Sequence, residues 1–186
     1  MSAEAVGRYM PAIATLDELT AMMVADPHGH RYEISPEGVL SVMPPPDYEH
    51  AVIATRLMAW LIMAGWPLDQ VTQAVGLRIP ASDGAVGGRI PDLVVWGKAQ
   101  PKARAVWLPA DDVLLVVEII SPGSEAADTV TKRREYASAG IPRYWTVDRD
   151  PGQTVTMYTI EDGVYRAAAT TPLAWVLNTA PMELFA

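Results

Sequence analysis

Two carboxylates set inside runs of apolar residues constrain this chain more than any other feature. Asp92 follows Ile90-Pro91 and opens the run Leu93-Val94-Val95-Trp96, and Glu118 sits within Leu114-Leu115-Val116-Val117-Glu118-Ile119-Ile120. Short runs this rich in β-branched residues fit central strands covered on both faces. A carboxylate held in such a strand is costly unless it is paired or bound to a metal. Each has an ordinary reading when taken singly: an Asp at a strand start often caps a turn, and a Glu in an apolar strand often pairs with an arginine. Two of them on strands that can be neighbours make a hard-oxygen site, suited to Mg²⁺ with Mn²⁺ as a substitute. Such an ion can bind a phosphate oxygen and activate a water.

The chain has 186 residues, half of them apolar, which suits one domain over residues 1–186 with a core of its own. It contains no cysteine, so disulfides, thiolate metal sites and a cysteine nucleophile are excluded. Residues 1–26 carry scattered Glu4, Arg8, Asp17 and Glu18 in place of a basic start and an apolar run, unlike a signal peptide. No stretch approaches the roughly 20 apolar residues of a membrane span. A soluble, cytoplasmic protein that does not engage a membrane is expected. The net charge of −8 counts against nonspecific coating of nucleic acid but not against a nuclease, whose metal-binding groups are themselves acidic.

Along the chain, Thr15-Leu16-Asp17-Glu18 has capping-box spacing and predicts a helix over 16–24. Strands over 30–35 and 39–43 flank a turn at Pro36-Glu37-Gly38, and the prolines Pro44 to Pro46 end that hairpin. Asp47 reads as the cap of the longest helix, 48–64, stopped by Gly65. Residues 71–79 alternate and read as one strand, followed by a turn at Asp83-Gly84. Strands over 93–96 and 113–120 enclose a loop or short helix with Lys98, Lys102 and Arg104. A polar helix over 124–139, a strand over 143–147 and a hairpin of 154–160 with 164–168 complete the reading, while 172–186 carries no signal. The order predicts an α/β or α+β fold with a mixed central sheet flanked by helices and a β-hairpin towards each end. Apolar strands exposed in those hairpins suggest self-association.

Lys132 lies on the polar helix with Tyr136 four residues on, hence on one face. A lysine beside a metal orients an attacking water and offsets charge on phosphate. Alone, Lys132-Arg133-Arg134 would read as a solvated face. There is no Gly-x-x-x-x-Gly-Lys loop, His-Glu-x-x-His pair or Gly-x-Ser-x-Gly elbow, and His28, His30 and His50 lack zinc spacing.

Several stretches occur together in a telling order: Ile90-Pro91-Asp92-Leu93-Val94-Val95, Leu115-Val116-Val117-Glu118-Ile119-Ile120-Ser121-Pro122, then Asp128 to Lys132, Arg134-Glu135-Tyr136-Ala137, Gly140-Ile141-Pro142-Arg143-Tyr144-Trp145 and Val147-Asp148. Upstream lie Arg31-Tyr32-Glu33-Ile34, Gly38-Val39-Leu40, the Pro44 to Pro46 run and His50. In these the chain resembles the Uma2 family of the PD-(D/E)XK restriction-endonuclease-like superfamily, over a core of about residues 30–165. The resemblance implies that Asp92 is the "PD" aspartate and Glu118 the acidic residue of "(D/E)XK", the two metal ligands. The motif's lysine would fall at Ile120 and is absent; Lys132 matches the position to which it has migrated in this family. Glu33 and His50 are supporting candidates, since a helix-borne acid or histidine near the metal is common in the superfamily; Gln73 is one as a residue lining the site from the strand before Asp92, and Tyr136 as one packed beside Lys132 or hydrogen-bonding at the site. His50 reads equally as a satisfied polar residue at a helix start.

The resemblance thus implies an Mg²⁺-dependent endonuclease acting on DNA, catalytic through Asp92, Glu118 and Lys132, and working as a homodimer or higher oligomer. The contrasting expectation, prompted by the acidic charge and the displaced lysine, is an inert nuclease-fold module for binding or assembly.

Overall fold

A computed structural model describes residues 15–81, 84–100 and 104–185. The first helix, α1 (Leu16–Ala25), starts where capping chemistry dictates. Thr15 accepts a hydrogen bond from the Glu18 N–H, and the Glu18 carboxylate accepts one from the Thr15 N–H at 3.0 Å. Strands β1 (Arg31–Ile34) and β2 (Leu40–Met43) form the expected hairpin. Asp47 then caps α2 (Tyr48–Met63) by accepting from the His50 N–H at 3.0 Å, and Gly65 ends it in the left-handed region at φ +93°.

The remaining strands are β3 (Val71–Gln73), β4 (Gly76–Pro80), β5 (Val86–Arg89), β6 (Leu93–Trp96), β7 (Trp107–Pro109), β8 (Val113–Ile119), β9 (Arg143–Val147), β10 (Thr154–Glu161) and β11 (Val164–Pro172). Between β8 and β9 a π-helical segment, Ala127–Lys132, runs into α3 (Arg133–Ser138). Two short helices, α4 (Leu173–Asn178) and α5 (Pro181–Leu184), close the chain. The fold is α+β with two mixed sheets. One has the order β2-β1-β5-β4-β7 with β4 and β7 parallel, and the other β11-β10-β9-β8-β6-β3 with β8 and β9 parallel.

The apolar runs at Asp92 and Glu118 become neighbours. β6 and β8 pair antiparallel with Leu93 opposite Val117, both inside the six-stranded sheet, with β3 as the edge strand beyond β6. Strand alternation divides their side chains between two cores. Leu93, Val95, Leu115, Val117 and Ile119 meet Ile53, Leu57 and Leu61 of α2. Val94, Trp96 and Val116 face the other way, onto Tyr136 of α3 and Leu77 and Ile79 of β4. Both faces are covered, as unbroken apolar runs require. The same alternation points Glu118 towards the face covered by α3, and that is how a helix side chain reaches it.

The stretch 71–79 is not one strand. Ala74 adopts φ +51°, so the chain leaves the six-stranded sheet after Gln73 and enters the five-stranded sheet at Gly76. Alternation of side chains alone cannot register such a break. The sequence also conceals β5, because Gly87-Gly88 reads as a breaker, and β7, which is only three residues long. The glycines there are demanded by close packing: a Cβ on Gly88 would lie 2.7 Å from both Leu16 and Trp107, and one on Gly76 would lie 2.5 Å from the Trp107 ring. Gly76→Ala is accordingly expected to destabilise the protein by about 1–3 kcal/mol through overpacking. In a thermal melt that corresponds to about 2–12 °C for a chain of this size.

Other differences are smaller. The polar helix over 124–139 contains the π-helical segment, and the C-terminal stretch is helical and buries Leu173 and Val176 in the core beside α2. Asp83 and Lys102 lie outside the described residues. Among the described residues no helix is long and apolar enough to cross a membrane.

Candidate active site

The two sheets meet along a seam, and the polar residues that the core cannot absorb collect there. β1 brings Arg31 and Glu33, β5 brings Arg89, and the link from β5 to β6 brings Asp92. β8 contributes Glu118, the first turn of α2 contributes His50, and the helix after β8 contributes Asp128, Lys132, Glu135 and Tyr136. All but Arg31 are buried, Glu33 completely.

Asp92 is fixed from three sides. Its Oδ1 accepts from Arg31 Nη1 at 2.8 Å; its Oδ2 accepts from the Ile119 N–H at 2.8 Å and lies 3.0 Å from His50 Nε2. Glu118 takes its bonds on Oε1, from the Tyr136 hydroxyl at 2.7 Å and Lys132 Nζ at 3.1 Å. Lys132 Nζ also lies 3.2 Å from Glu33 Oε2 and 3.1 Å from Asp128 Oδ1, so three carboxylates surround the ammonium. The Asp128 approach is an ion pair without hydrogen-bond alignment, so Oδ1 has a charge partner but no aligned donor. Behind them, Arg89 grips Glu135 with Nε and Nη2 at 2.6 and 2.7 Å and reaches Glu33 Oε2 at 3.3 Å, while Glu33 Oε1 accepts from the Ile90 N–H at 2.7 Å.

Electrostatics follow from this wiring. Burial pushes Asp92 upward, but His50 and Arg31 outweigh it and hold the carboxyl below its ordinary range. Burial drives Glu118 well above the ordinary carboxylate range; Lys132 opposes this, and Asp128, Asp92 and Glu33 add to it. Burial works against the charge of Lys132, yet Glu118, Glu33, Asp128 and Asp92 together raise it above the usual lysine value. The ammonium therefore keeps its proton, and Glu118 is the carboxylate short of positive charge. Glu33, Asp92, Glu118, Asp128 and Glu135 are joined through contacts to only three cations, Arg31, Arg89 and Lys132, leaving two formal negative charges in excess.

A cavity of about 550 Å³ opens onto this network. Arg31, Glu33, His50, Asp92, Glu118 and Lys132 line it, with Pro44 to Pro46 on one wall and Ser121 to Ser124 on another. Of the expected residues, Asp92, Glu118, Lys132, Glu33 and His50 therefore converge on one cavity, and Tyr136 stands behind Glu118. Gln73 is exposed on β3 opposite Leu93 and lies outside the cavity lining. Ile120 is buried without a charge near the place of the motif's lysine, while Lys132 reaches Glu118 from the helix.

The sequence reading left Arg31, Arg89, Asp128 and Glu135 without roles. A signal existed for two of them: Asp128, Lys132, Glu135 and Tyr136 follow one another at spacings of four, three and one, the signature of one helix face.

Comparison with known proteins agrees with this picture. The family model Uma2, described as "putative restriction endonuclease", matches residues 16–184. A solved crystal structure from Anabaena variabilis ATCC 29413, described as a "putative nuclease belonging to DUF820", is similar with a TM-score of 0.60. The two chains are 16% identical, and the match covers 90% of this chain and 96% of that one, a likeness of fold. No curated protein matches the chain.

Proposed function

Because the chain belongs to the Uma2 family, we propose that it is a nuclease that uses Mg²⁺, with Mn²⁺ as a substitute, to hydrolyse phosphodiester bonds in DNA. The observation that carries this reading is the convergence of Asp92, Glu118 and Lys132 on one cavity from a strand link, a strand and a helix. A cysteine-free chain acting on DNA fits the cytoplasm.

The residues fit a small divalent cation. The donors are carboxylates, the network has two negative charges in excess, and burial has left Glu118 in need of a cation. Among the described residues no three His, Asp or Glu side chains gather closely enough to coordinate one ion. Asp92 and Glu118 do line one cavity, and Mg²⁺ typically takes one or two carboxylates and keeps several waters. Asp92 and Glu118 would hold it. When bound, the ion supplies Lewis-acid charge that acidifies a water and neutralises phosphate.

The chain's own groups do the rest. Arg31, His50 and the Ile119 N–H lock the Asp92 carboxylate in one orientation, and Tyr136 locks Glu118. Lys132 holds its proton between three carboxylates, so it serves as a fixed positive charge beside the phosphate and not as a base. Pro44 to Pro46 and Ser121 to Ser124 form walls of the cavity beside these groups.

One observation favours the inert module instead: both oxygens of Asp92 already have protein donors, and Lys132 is fully committed. Calorimetric titration with Mg²⁺ and Mn²⁺, alongside a nuclease assay with and without the ion, separates the two. Heat of binding together with ion-dependent cleavage that Asp92→Ala removes is expected. Neither binding nor cleavage near neutral pH would leave the inert module standing.

A further inference from the structure

Resting on the ion-dependent reading above, we propose that Asp128 is the third carboxylate of the ion site. It holds a divalent cation through one of the waters the cation keeps, while Asp92 and Glu118 hold the cation itself.

Asp128 presents an acceptor with nothing to accept. It is 3% exposed and lines the cavity. Its Oδ1 is buried without an aligned donor, although Lys132 Nζ lies 3.1 Å away. A buried, charged oxygen in that state is expensive, and folded proteins keep one where a water, an ion or a catalytic role accounts for it. The backbone prevents Asp128 from turning away. Its N–H donates to the Ser124 carbonyl at 2.9 Å, and its own carbonyl accepts from the buried Tyr144 hydroxyl at 2.8 Å. Asp128 and Lys132 both belong to the π-helical segment, a geometry that recurs at functional sites.

Chemistry narrows what completes Asp128. A phosphate diester brings only acceptors. A plain water brings a donor but no charge, and the network of five carboxylates and three cations has two negative charges in excess. Lys132 is already shared among three carboxylates. A hydrated divalent cation brings both the missing charge and polarised O–H donors. Glu118 takes both of its hydrogen bonds on Oε1, and among the described residues nothing donates to Oε2, which leaves that oxygen for the ion. Among the described residues no three carboxylates gather closely enough to coordinate one ion directly, so Asp128 acts through the ion's water.

Glu33 marks the contrast. It also lines the cavity, and its Oε2 lies 3.2 Å from Lys132 Nζ. Its oxygens, however, are complete: Oε1 accepts from the Ile90 N–H at 2.7 Å, and Oε2 also faces Arg89 at 3.3 Å. Glu33 supports the lysine and has nothing left for an ion.

The test titrates the full chain with Mn²⁺ and Mg²⁺ by calorimetry, for the parent, Asp128→Asn and Glu33→Gln. Each protein is also melted with and without the ion, and the parent is assayed for cleavage of plasmid DNA. Asp128→Asn keeps the size of the side chain and an oxygen for Lys132 and discards the charge. It is expected to bind both ions about 10–100-fold more weakly, the usual cost of losing a partner one water removed from a metal. The rise in melting temperature that the ion produces should shrink accordingly, with the ion-free melting temperature unchanged or higher. Glu33→Gln should weaken ion binding less. Equal weakening by the two variants overturns the proposal, because Asp128 then does no more than neutralise Lys132. Ion affinity of Asp128→Asn within about threefold of the parent also overturns it and leaves the nuclease reading intact. So does an Asp128→Asn protein that fails to fold or melts well below the parent without ion, since the carboxylate then serves the fold. A parent that neither binds the ions nor cleaves overturns both readings. Ion binding that Asp128→Asn weakens, in a parent that cuts no DNA, supports this proposal and overturns the nuclease reading.

Discussion

Glu118→Gln is expected to lower metal-dependent cleavage by about 10²–10⁴-fold while leaving the unfolding temperature unchanged or higher. The two effects differ in sign because Glu118 is poorly placed for stability. It is buried among Asp128, Asp92 and Glu33, with Lys132 as the cation that hydrogen-bonds it, and its carboxyl is pushed well above the ordinary value of 4.5. A carboxyl raised in the folded state favours its protonated form there. Its contribution to stability is therefore intact below about pH 4.5 and is eroded as the pH rises past that value. Glutamine keeps an acceptor for the Tyr136 hydroxyl and discards the charge, and Lys132 retains Glu33 and Asp128. Cleavage assays and calorimetric Mg²⁺ titration on the variant, with thermal melts from pH 4 to pH 8, read both effects. A variant that melts well below the parent at neutral pH would contradict this account of the site.

Arg89→Met is expected to act almost wholly on stability, by about 3–5 kcal/mol, the cost of leaving buried charge uncompensated. For a chain of this length that lowers the melting temperature by about 6–20 °C. Arg89 is the bidentate partner of Glu135 and a partner of Glu33, with all three side chains 4% exposed or less. Removing it orphans both carboxylates, and Glu33 is also a support of Lys132. The double variant Arg89→Met, Glu135→Leu removes the buried pair together and should recover part of the loss, because an apolar pair of similar volume is often no worse than a buried ion pair. Thermal melts of the two single variants and the double variant give the coupling directly.

Much of the scaffold was legible because its signals are local. The caps at Thr15 and Asp47, the apolar spacing of α2, the unbroken runs of β6 and β8 and the turns of both hairpins each occupy a few consecutive residues. Asp92 and Glu118 could be singled out for the same reason, since a charge inside an apolar run is visible on its own. The wiring around them was not. Arg89 finds Glu135 across 46 positions, and Glu33 meets the Ile90 N–H across 57. Glu135 is marked only by the helix-face spacing it shares with Asp128 and Lys132, and nothing near Arg89 or Glu33 points to a partner. The passage between sheets at Ala74 was hidden too, because alanine is not a residue that announces a left-handed turn. Gln73 shows the limit of neighbourhood on a strand: it pairs opposite Leu93, next to Asp92, and still faces solvent.

The seam between the sheets makes the charged network depend on how the two sheets sit against each other. Glu33 and Arg89 ride on one sheet and Glu118 on the other, with Asp92 on the strap that joins them. Proteins loosen in pieces before they unfold as a whole. A copy whose sheets slide apart by even a small amount would keep most of its backbone ladders and yet scatter the charges that surround Lys132.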